Sequence, residues 1–159
     1  MSCSAHLTLP SPEATANLAR RLGTLLSAGD VILLDGPIGA GKTHFARALI
    51  QSRLAVPEDV PSPTFTLVQT YEAADGTEIW HADLYRLTDP AELFELGLDA
   101  AFDNAICLIE WPDRLGPEAP PDALRLTLAQ GPQETSRLLK ITGSDRWAAH
   151  LVGLGEADA

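Results

Sequence analysis

The fold of this chain is decided by one stretch, Gly36-Pro37-Ile38-Gly39-Ala40-Gly41-Lys42-Thr43, which reads G-x-x-x-x-G-K-T. A short apolar run, Val31-Ile32-Leu33-Leu34, comes just before it and is typical of a buried strand. The stretch that follows, His44-Phe45-Ala46-Arg47-Ala48-Leu49-Ile50, has apolar residues at helical spacing. The order strand, glycine loop, helix is the setting in which this pattern predicts a phosphate-binding loop.

The residue types of the loop suit a nucleoside triphosphate. Glycines let the backbone curl so that N–H groups face phosphate oxygens, and the following helix presents the positive end of its dipole. Lys42 can reach the β- and γ-phosphates, and the Thr43 hydroxyl can ligate Mg²⁺. The residues of this segment predicted to contact the nucleotide are Gly36, Gly39, Ala40, Gly41, Lys42, Thr43 and His44.

Length and composition predict a single domain over residues 1–159, with a frayed tail after about residue 153. The hydrophobic fraction of 45% and the charged fraction of 21% are ordinary for a globular protein. The sequence has no apolar run of membrane-spanning length, and its first ten residues lack the layout of a signal peptide. Two cysteines, Cys3 and Cys107, are too few for a disulfide framework. We therefore expect a cytoplasmic protein.

The net charge of −11 argues against a large direct contact with nucleic acid, because binding the phosphate backbone requires clustered Lys and Arg. The chain has only two lysines, Lys42 and Lys140, and the first lies in the phosphate loop. An acidic surface instead favours solubility or docking onto a basic protein partner.

The remaining pattern predicts an α/β fold, a P-loop nucleotide-binding three-layer sandwich around a mixed sheet that includes antiparallel strands. Helices are expected at three places besides the loop helix, after an N-terminal strand: residues 11–28, 89–97 and 144–151, with Ser11 and Ser144 as N-caps. Phe102 and its neighbours read as a short bridge. Further strands are predicted at residues 64–71, 77–82, 105–109, 124–128 and 136–141.

Two of these strand pairs should be antiparallel because their connections are short. Asp75-Gly76 is a hairpin turn signal between the first two strands, and Gly131-Pro132 is a turn between the last two. Residues 124–128 alternate as an edge or one-sided strand does.

A magnesium nucleotide site also needs a carboxylate at a strand end and a group that orients the attacking species. Asp83 and Glu110 each follow a predicted strand, but each could also be a solvated strand-end acid. Thr64, in Ser62-Pro63-Thr64, lies where nucleotide hydrolases carry a switch hydroxyl, although a rigid turn is the plain alternative. Trp111 could stack on a base or partner, or could be a buried tryptophan. Chemistry alone leaves His81 and Arg86 unassigned.

Four blocks together resemble the TsaE family, the small bacterial ATPases of tRNA threonylcarbamoyladenosine biosynthesis. They are the loop at residues 36–43, Ser62-Pro63-Thr64-Phe65-Thr66-Leu67, His81-Ala82-Asp83-Leu84-Tyr85-Arg86 and Glu110-Trp111-Pro112. The resemblance runs from the first helix to Pro112. The loop has Gly36-Pro37-Ile38-Gly39 where the family more often has Gly-Asp-Leu-Gly, a change at positions that the pattern leaves free.

This resemblance implies a partner-stimulated, Mg²⁺-dependent ATPase that yields ADP. It implies action through TsaB-like and TsaD-like proteins, which modify adenosine 37 of tRNA, without transfer of the threonylcarbamoyl group by this chain. By the same resemblance, Lys42, Thr64, Asp83 and Glu110 form the catalytic site, and Thr43, Asp83 and Glu110 hold the metal. Trp111 is implied to be needed at the nucleotide site.

Two other functions use the same loop. A small-molecule kinase would need an acceptor pocket and an arginine-rich lid, and residues 102–121 contain no such segment. A nucleotide-gated adaptor would bind ATP and change shape while barely hydrolysing it. Direct ligation of Mg²⁺ by Asp83 or Glu110, as against ligation through water, stays open at this stage.

Overall fold

The computed structural model describes residues 2–37, 39–56, 58–61, 68–89 and 91–151. Within these ranges the strands are β1 (Ser2–Leu9), β2 (Val31–Asp35), β3 (Val68–Glu72), β4 (Glu78–Asp83), β5 (Ile106–Glu110), β6 (Leu124–Gln130) and β7 (Arg137–Ser144). The helices are α1 (Pro12–Leu25), α2 (Lys42–Arg53), α3 (Glu92–Leu96) and α4 (Leu98–Asn104), with two 3₁₀ segments at Pro112–Glu118 and Asp145–Trp147.

The strands form one mixed sheet in the order β1-β7-β6-β2-β5-β4-β3. The four central strands, β6, β2, β5 and β4, run parallel to their neighbours within that group. The outer strands are antiparallel: β7 to β6, β1 to β7, and β3 to β4. The carboxyl ends of the four parallel strands therefore meet at one edge of the sheet, the place where open α/β sheets bind ligands.

The sheet is covered on both faces. Ile32 and Leu34 of β2 belong to a buried cluster with α1 and α2, whereas Val31 and Leu33 belong to a cluster with α3 and α4. Alternate residues of a strand point to opposite faces, so a central strand of a three-layer fold has an unbroken apolar sequence. The predicted three-layer α/β sandwich is confirmed.

Helix α1 forms as its capping residue predicts. The Ala14 N–H donates to Ser11 Oγ at 3.1 Å, and Leu18 and Leu22 pack into the core. The helix ends at Leu25, three residues before the predicted end. The Ser27 N–H donates to Asp30 Oδ2 at 2.8 Å, and this contact stabilises a turn where a further helical turn was expected.

The predicted hairpin is confirmed in β3 and β4. At its turn the Thr77 N–H donates to Asp75 Oδ1 at 3.0 Å, and Gly76 has a φ of +89°. Residues 62–67 lie outside the described part of the chain, and so does the whole of the tail predicted after about residue 153. No helix among the described residues is long and apolar enough to cross a bilayer.

The interpretation of Phe102 as part of a bridge is wrong. Phe102 lies in α4, which begins immediately after Gly97. Gly97, with a φ of +83°, ends α3 and is also the residue before the first turn of α4. Leu98 and Ala101 bury the apolar face of this second helix. A glycine that predicts a helix end carries no information about a new helix starting at once.

Two further details differ in part from the prediction. Ser144 is the last residue of β7 and makes no capping hydrogen bond, and its buried Oγ has no hydrogen-bond partner within the described ranges. The helix predicted after it begins as the 3₁₀ segment and continues as an α-helical turn over residues 148–151. Of the two alternatives predicted for β6, the edge strand is wrong, because β6 lies between β2 and β7. Its alternating burial fits the expected one-sided exposure.

Candidate nucleotide-binding site

The glycine loop connects the carboxyl end of β2 to the start of α2. Its first residue, Gly36, has a φ of +139°, and a Cβ built there would lie 2.4 Å from the Leu128 carbonyl oxygen of β6. The Gly36 N–H donates to Asp35 Oδ1 at 2.9 Å. Only a residue without a side chain fits between β2 and β6 at this point.

The loop delivers the N-terminus of α2 to the carboxyl edge of the sheet. Gly41, with a φ of +104°, is the residue before the helix, and the Phe45 N–H donates to its carbonyl oxygen at 2.9 Å. The N–H groups of Lys42, Thr43 and His44 precede this bond and have no intrahelical acceptor. The positive end of the helix dipole therefore faces the space above the loop, where an anion is stabilised.

Two residues that were predicted to contact the nucleotide, Ala40 and His44, make hydrogen-bond contacts within the protein. The Ala40 N–H donates to the Pro37 carbonyl oxygen at 3.1 Å. The His44 side chain turns toward α1, with Nε2 3.0 Å from the Pro12 carbonyl oxygen. The His44 backbone stays in the first turn of α2, so its N–H group is the part that faces the loop region.

Lys42 is almost fully buried, with 5% of its surface exposed. Its Nζ donates to the Gly36 carbonyl oxygen and lies 3.6 Å from the centroid of the Trp111 ring. Burial lowers the pKa of Lys42, while the carboxylates of Glu110, Asp35 and Asp83 act in the opposite direction. The ammonium group is thus held beside the loop by a carbonyl and an aromatic face.

Glu110 is the buried carboxylate at the centre of the site, with 2% of its surface exposed. The Thr43 hydroxyl lies 2.9 Å from Oε1 and 3.1 Å from Oε2, and donates to this carboxylate. His81 Nε2 lies 2.7 Å from Oε2. A carboxylate buried this deeply needs such partners, since an unpaired charge would be strongly disfavoured.

His81 is a site residue that sequence reasoning left unassigned. It is fully buried, and within the described residues its Nδ1 has no hydrogen-bond partner. It lies two residues before Asp83 in β4, so the two side chains point to the same face of the sheet. That spacing is the available sequence signal, but only the pairing of β4 with β5 places His81 against Glu110.

Asp83 ends β4 and is the register partner of Glu110 at the end of β5. Burial raises the pKa of Asp83, its hydrogen bond from the Tyr85 N–H (3.0 Å) counters this, and the charge of Glu110 raises it further. The structure therefore brings both predicted carboxylates to adjacent positions at the carboxyl edge of the sheet.

Trp111 directly follows β5 in a left-handed backbone conformation, with a φ of +59°. Its ring lies 4.9 Å from the ring of Tyr85, at an angle of 49°. A positive φ is uncommon for a large side chain and marks a local conformation that the surrounding contacts maintain. Trp111 is half-buried, and its clearest contact is with Lys42; stacking on a base stays a prediction.

The donor set suits Mg²⁺ only together with a nucleotide. Among the described residues no group of three His, Cys, Asp or Glu side chains forms a metal site. The Thr43 hydroxyl contacts the Glu110 carboxylate, and Asp83 is the neighbour of Glu110 in the strand register. Mg²⁺ favours hard oxygen ligands and commonly uses one or two carboxylates plus phosphates and water. Thr64, the remaining predicted catalytic residue, lies outside the described residues.

The fold and the site define the class of the protein: an α/β protein in which a G-x-x-x-x-G-K-T loop and two carboxylates meet at the carboxyl edge of a mixed sheet. Residues 9–139 match the family model described as "Threonylcarbamoyl adenosine biosynthesis protein TsaE". The chain belongs to the TsaE family, which confirms the resemblance found in its motifs.

Individual relatives agree with this assignment. The chain is 45% identical over 106 residues to a Rickettsia conorii protein named "tRNA threonylcarbamoyladenosine biosynthesis protein TsaE", a match that covers 67% of this chain and 60% of the relative. It is 39% identical over 139 residues to a Nostoc protein of the same name, covering 84% and 83% of the two chains. The crystal structure of Bacillus subtilis YdiB matches with a TM-score of 0.81 at 26% identity, over 100% of this chain and 99% of the other.

Proposed function

We propose that this chain binds and hydrolyses Mg·ATP, and that hydrolysis supports the threonylcarbamoylation of adenosine 37 in tRNA through a complex with TsaB-like and TsaD-like proteins. The observation that best supports ATP hydrolysis is the buried Glu110 carboxylate, which accepts a hydrogen bond from the Thr43 hydroxyl beside Lys42 of the glycine loop. Membership of the TsaE family and the names of the relatives support the place in tRNA modification.

Binding of the triphosphate is assigned to the loop and to the first turn of α2. Free N–H groups and the helix dipole attract the phosphates. The Lys42 side chain is flexible enough to reach the phosphates. When the nucleotide binds, its Nζ leaves the Gly36 carbonyl oxygen and donates to phosphate oxygens instead. The Trp111 ring keeps the ammonium close to the loop before the nucleotide arrives.

The reaction is in-line attack of water on the γ-phosphorus, which forms one P–O bond and breaks the bond to the ADP oxygen. Lys42 stabilises the negative charge that spreads over the transferring oxygens. Glu110 keeps the Thr43 hydroxyl oriented, and we assign to the same carboxylate the orientation of the attacking water. His81, whose Nε2 lies 2.7 Å from Glu110 Oε2, fixes the position of that carboxylate. Thr43, Glu110 and Asp83 would hold Mg²⁺, which would neutralise part of the phosphate charge.

The net charge of −11 supports action through protein partners. A surface of this sign repels the tRNA backbone and is complementary to a basic protein face. The same charge does not favour direct binding of tRNA by this chain alone.

The test is phosphate release from Mg·ATP by the chain alone, with tRNA, and with TsaB-like and TsaD-like proteins. We expect slow release alone, stimulation by the partners, and modified adenosine only when hydrolysis proceeds. Phosphate transfer to a metabolite, with no release unless that acceptor is present, would contradict the proposal and indicate a kinase. Modification that continues at full rate without hydrolysis would indicate a nucleotide-gated adaptor.

A further inference from the structure

The hairpin of β6 and β7 contacts the glycine loop at two places, although it lies far from the loop in the sequence. The Leu128 carbonyl oxygen of β6 lies against Gly36 at the start of the loop. At the middle of the loop, Arg137 Nε donates to the Ala40 carbonyl oxygen at 3.1 Å, and Nη2 donates to the Gly39 carbonyl oxygen at 3.4 Å. Nothing in the loop sequence indicates this second contact.

The sheet topology explains how Arg137 reaches the loop. Because β7 is antiparallel to β6, its first residue lies at the same edge of the sheet as the carboxyl end of β6. The parallel strand β2 also ends at that edge. Leu139 and Ile141 of β7 point into the core beneath α1 and α2, and strand alternation places Arg137 on the same face.

The guanidinium group is held in one orientation from the other side. Nη1 donates to the carbonyl oxygens of Glu134 and Ser136, both at 2.8 Å, in the turn of the hairpin. The rigid planar fork of arginine can bind the turn and the loop at once, which lysine cannot do. Arg137 is therefore a bridge between two pieces of backbone.

We propose that Arg137 is a positioning residue of the phosphate loop, which it holds in the shape that presents its N–H groups to the nucleotide. In a trans peptide the carbonyl and the following N–H point in opposite directions. Holding the Ala40 carbonyl toward Arg137 therefore turns the Gly41 N–H to the opposite side of the loop. The positive charge behind that peptide also polarises the N–H group. This inference rests on the proposed binding of nucleotide phosphates by the loop.

The matched control is Lys140→Ala. Lys140 lies in the same strand, carries the same charge and is exposed, and strand alternation directs its side chain to the opposite face of the sheet. Removing Lys140 changes the net charge by the same amount as removing Arg137 but leaves the loop contacts intact. An effect of Arg137 that Lys140 does not share cannot come from charge alone.

The experiment is calorimetric titration of wild type, Arg137→Ala, Arg137→Lys and Lys140→Ala with Mg·ADP. We expect affinity to fall about tenfold in Arg137→Ala, about threefold in Arg137→Lys, and by less than about twofold in Lys140→Ala. In nucleotide-free protein, the amide resonances of Gly41 and Lys42 should move in Arg137→Ala and stay in place in Lys140→Ala. A purely structural role would lower the melting temperature without moving these quantities in the folded protein.

Three outcomes overturn the inference. They are Arg137→Ala affinity within about twofold of wild type, an equal loss in Lys140→Ala, and unshifted Gly41 and Lys42 resonances. If Arg137→Ala does not fold, Arg137→Lys decides alone, and unchanged affinity for Mg·ADP then overturns the inference. Failure of the wild type to bind Mg·ADP would instead contradict the proposed function itself, so the two failures are distinct.

Discussion

Glu110 joins the loop, the sheet and the predicted metal chemistry in one buried carboxylate. It accepts a hydrogen bond from Thr43 and lies 2.7 Å from His81 Nε2. A charge taken out of water interacts more strongly with its neighbours than an exposed one. The position of Glu110 within the site therefore matters as much as its charge.

The first prediction concerns Glu110→Gln, which keeps the size of the side chain and an oxygen acceptor for Thr43 but removes the charge. Affinity for Mg·ATP should stay within about tenfold, while phosphate release falls by about 100-fold or more, the usual contribution of a positioned acid–base group. Glu118→Gln, at an exposed carboxylate in the 3₁₀ segment after Trp111, is the control. Phosphate release by Glu110→Gln at the wild-type rate would contradict this role.

The second prediction concerns Asp83, whose pKa is raised from 3.8 chiefly by burial. Below that ordinary value the side chain is neutral in both folded and unfolded chains; as pH rises through the raised folded pKa, ionisation costs the folded state stability. Asp83→Asn should therefore raise the melting temperature by about 2 °C at neutral pH, and by less as the pH falls toward about 4.

Thermal unfolding across this pH range tests the prediction. Glu134→Gln, which removes an exposed carboxylate in the hairpin turn, should show no such dependence on pH. If the increase in melting temperature of Asp83→Asn became larger at low pH, its pH dependence would be opposite to the one expected. It would show that ionised Asp83 stabilises the folded chain.

At the scale of elements, the strand–loop–helix unit depends on a close approach between β2 and β6. The Cβ of a residue at position 36 would lie 2.4 Å from the Leu128 carbonyl oxygen, whereas a Cβ at position 39 has no atom within 4 Å. Both glycines have positive φ, but the value of +139° at Gly36 is farther from the left-handed region open to other residues than the value of +84° at Gly39. Backbone strain and steric contact are therefore both greater at position 36.

The third prediction follows from this difference. Gly36→Ala should lower the free energy of unfolding by about 3 kcal/mol, because strain and a backbone clash add. Gly39→Ala should cost about 1 kcal/mol, the penalty of a left-handed residue alone. Urea unfolding of both variants measures the two changes in the free energy of unfolding. Equal changes would show that the approach of β2 to β6 is not tight.

The elements that could be predicted are those whose information is local. Ser11 caps α1, the apolar run at residues 31–34 forms β2, and Asp75-Gly76 makes the β3–β4 turn. Helix α4 was missed because Gly97 serves as the end of one helix and the beginning of the next. Local patterns do not encode such a double role.

The candidate site divides in the same way. The loop residues, Asp83 and Glu110 could be predicted, because the loop motif and the strand ends are visible in short stretches of consecutive residues. His81 and Arg137 could not, because their partners are 29 and 97 residues away and are set by strand register. The pairings of β4 with β5 and of β7 with β6 carry that information.

At the scale of the whole molecule, one edge of the sheet assembles the candidate nucleotide site. Strands β2, β4 and β5 bring the loop, Asp83 and Glu110 to that edge, and the β6–β7 hairpin supports the loop from the side. The chain has two lysines, one at this edge and one on the exposed face of β7. Comparing substitutions at these two lysines therefore gives the most direct test of nucleotide binding by the loop.

The fourth prediction concerns Lys42, and its measurement is calorimetric titration of Lys42→Ala and Lys140→Ala with Mg·ATP. Lys42→Ala should bind at least about tenfold more weakly than wild type, since it loses charge-assisted contacts to phosphate. Its phosphate release and its support of tRNA modification should be lost as well, while Lys140→Ala should match wild type. Wild-type affinity for Mg·ATP in folded Lys42→Ala would contradict the central claim that this loop binds the nucleotide.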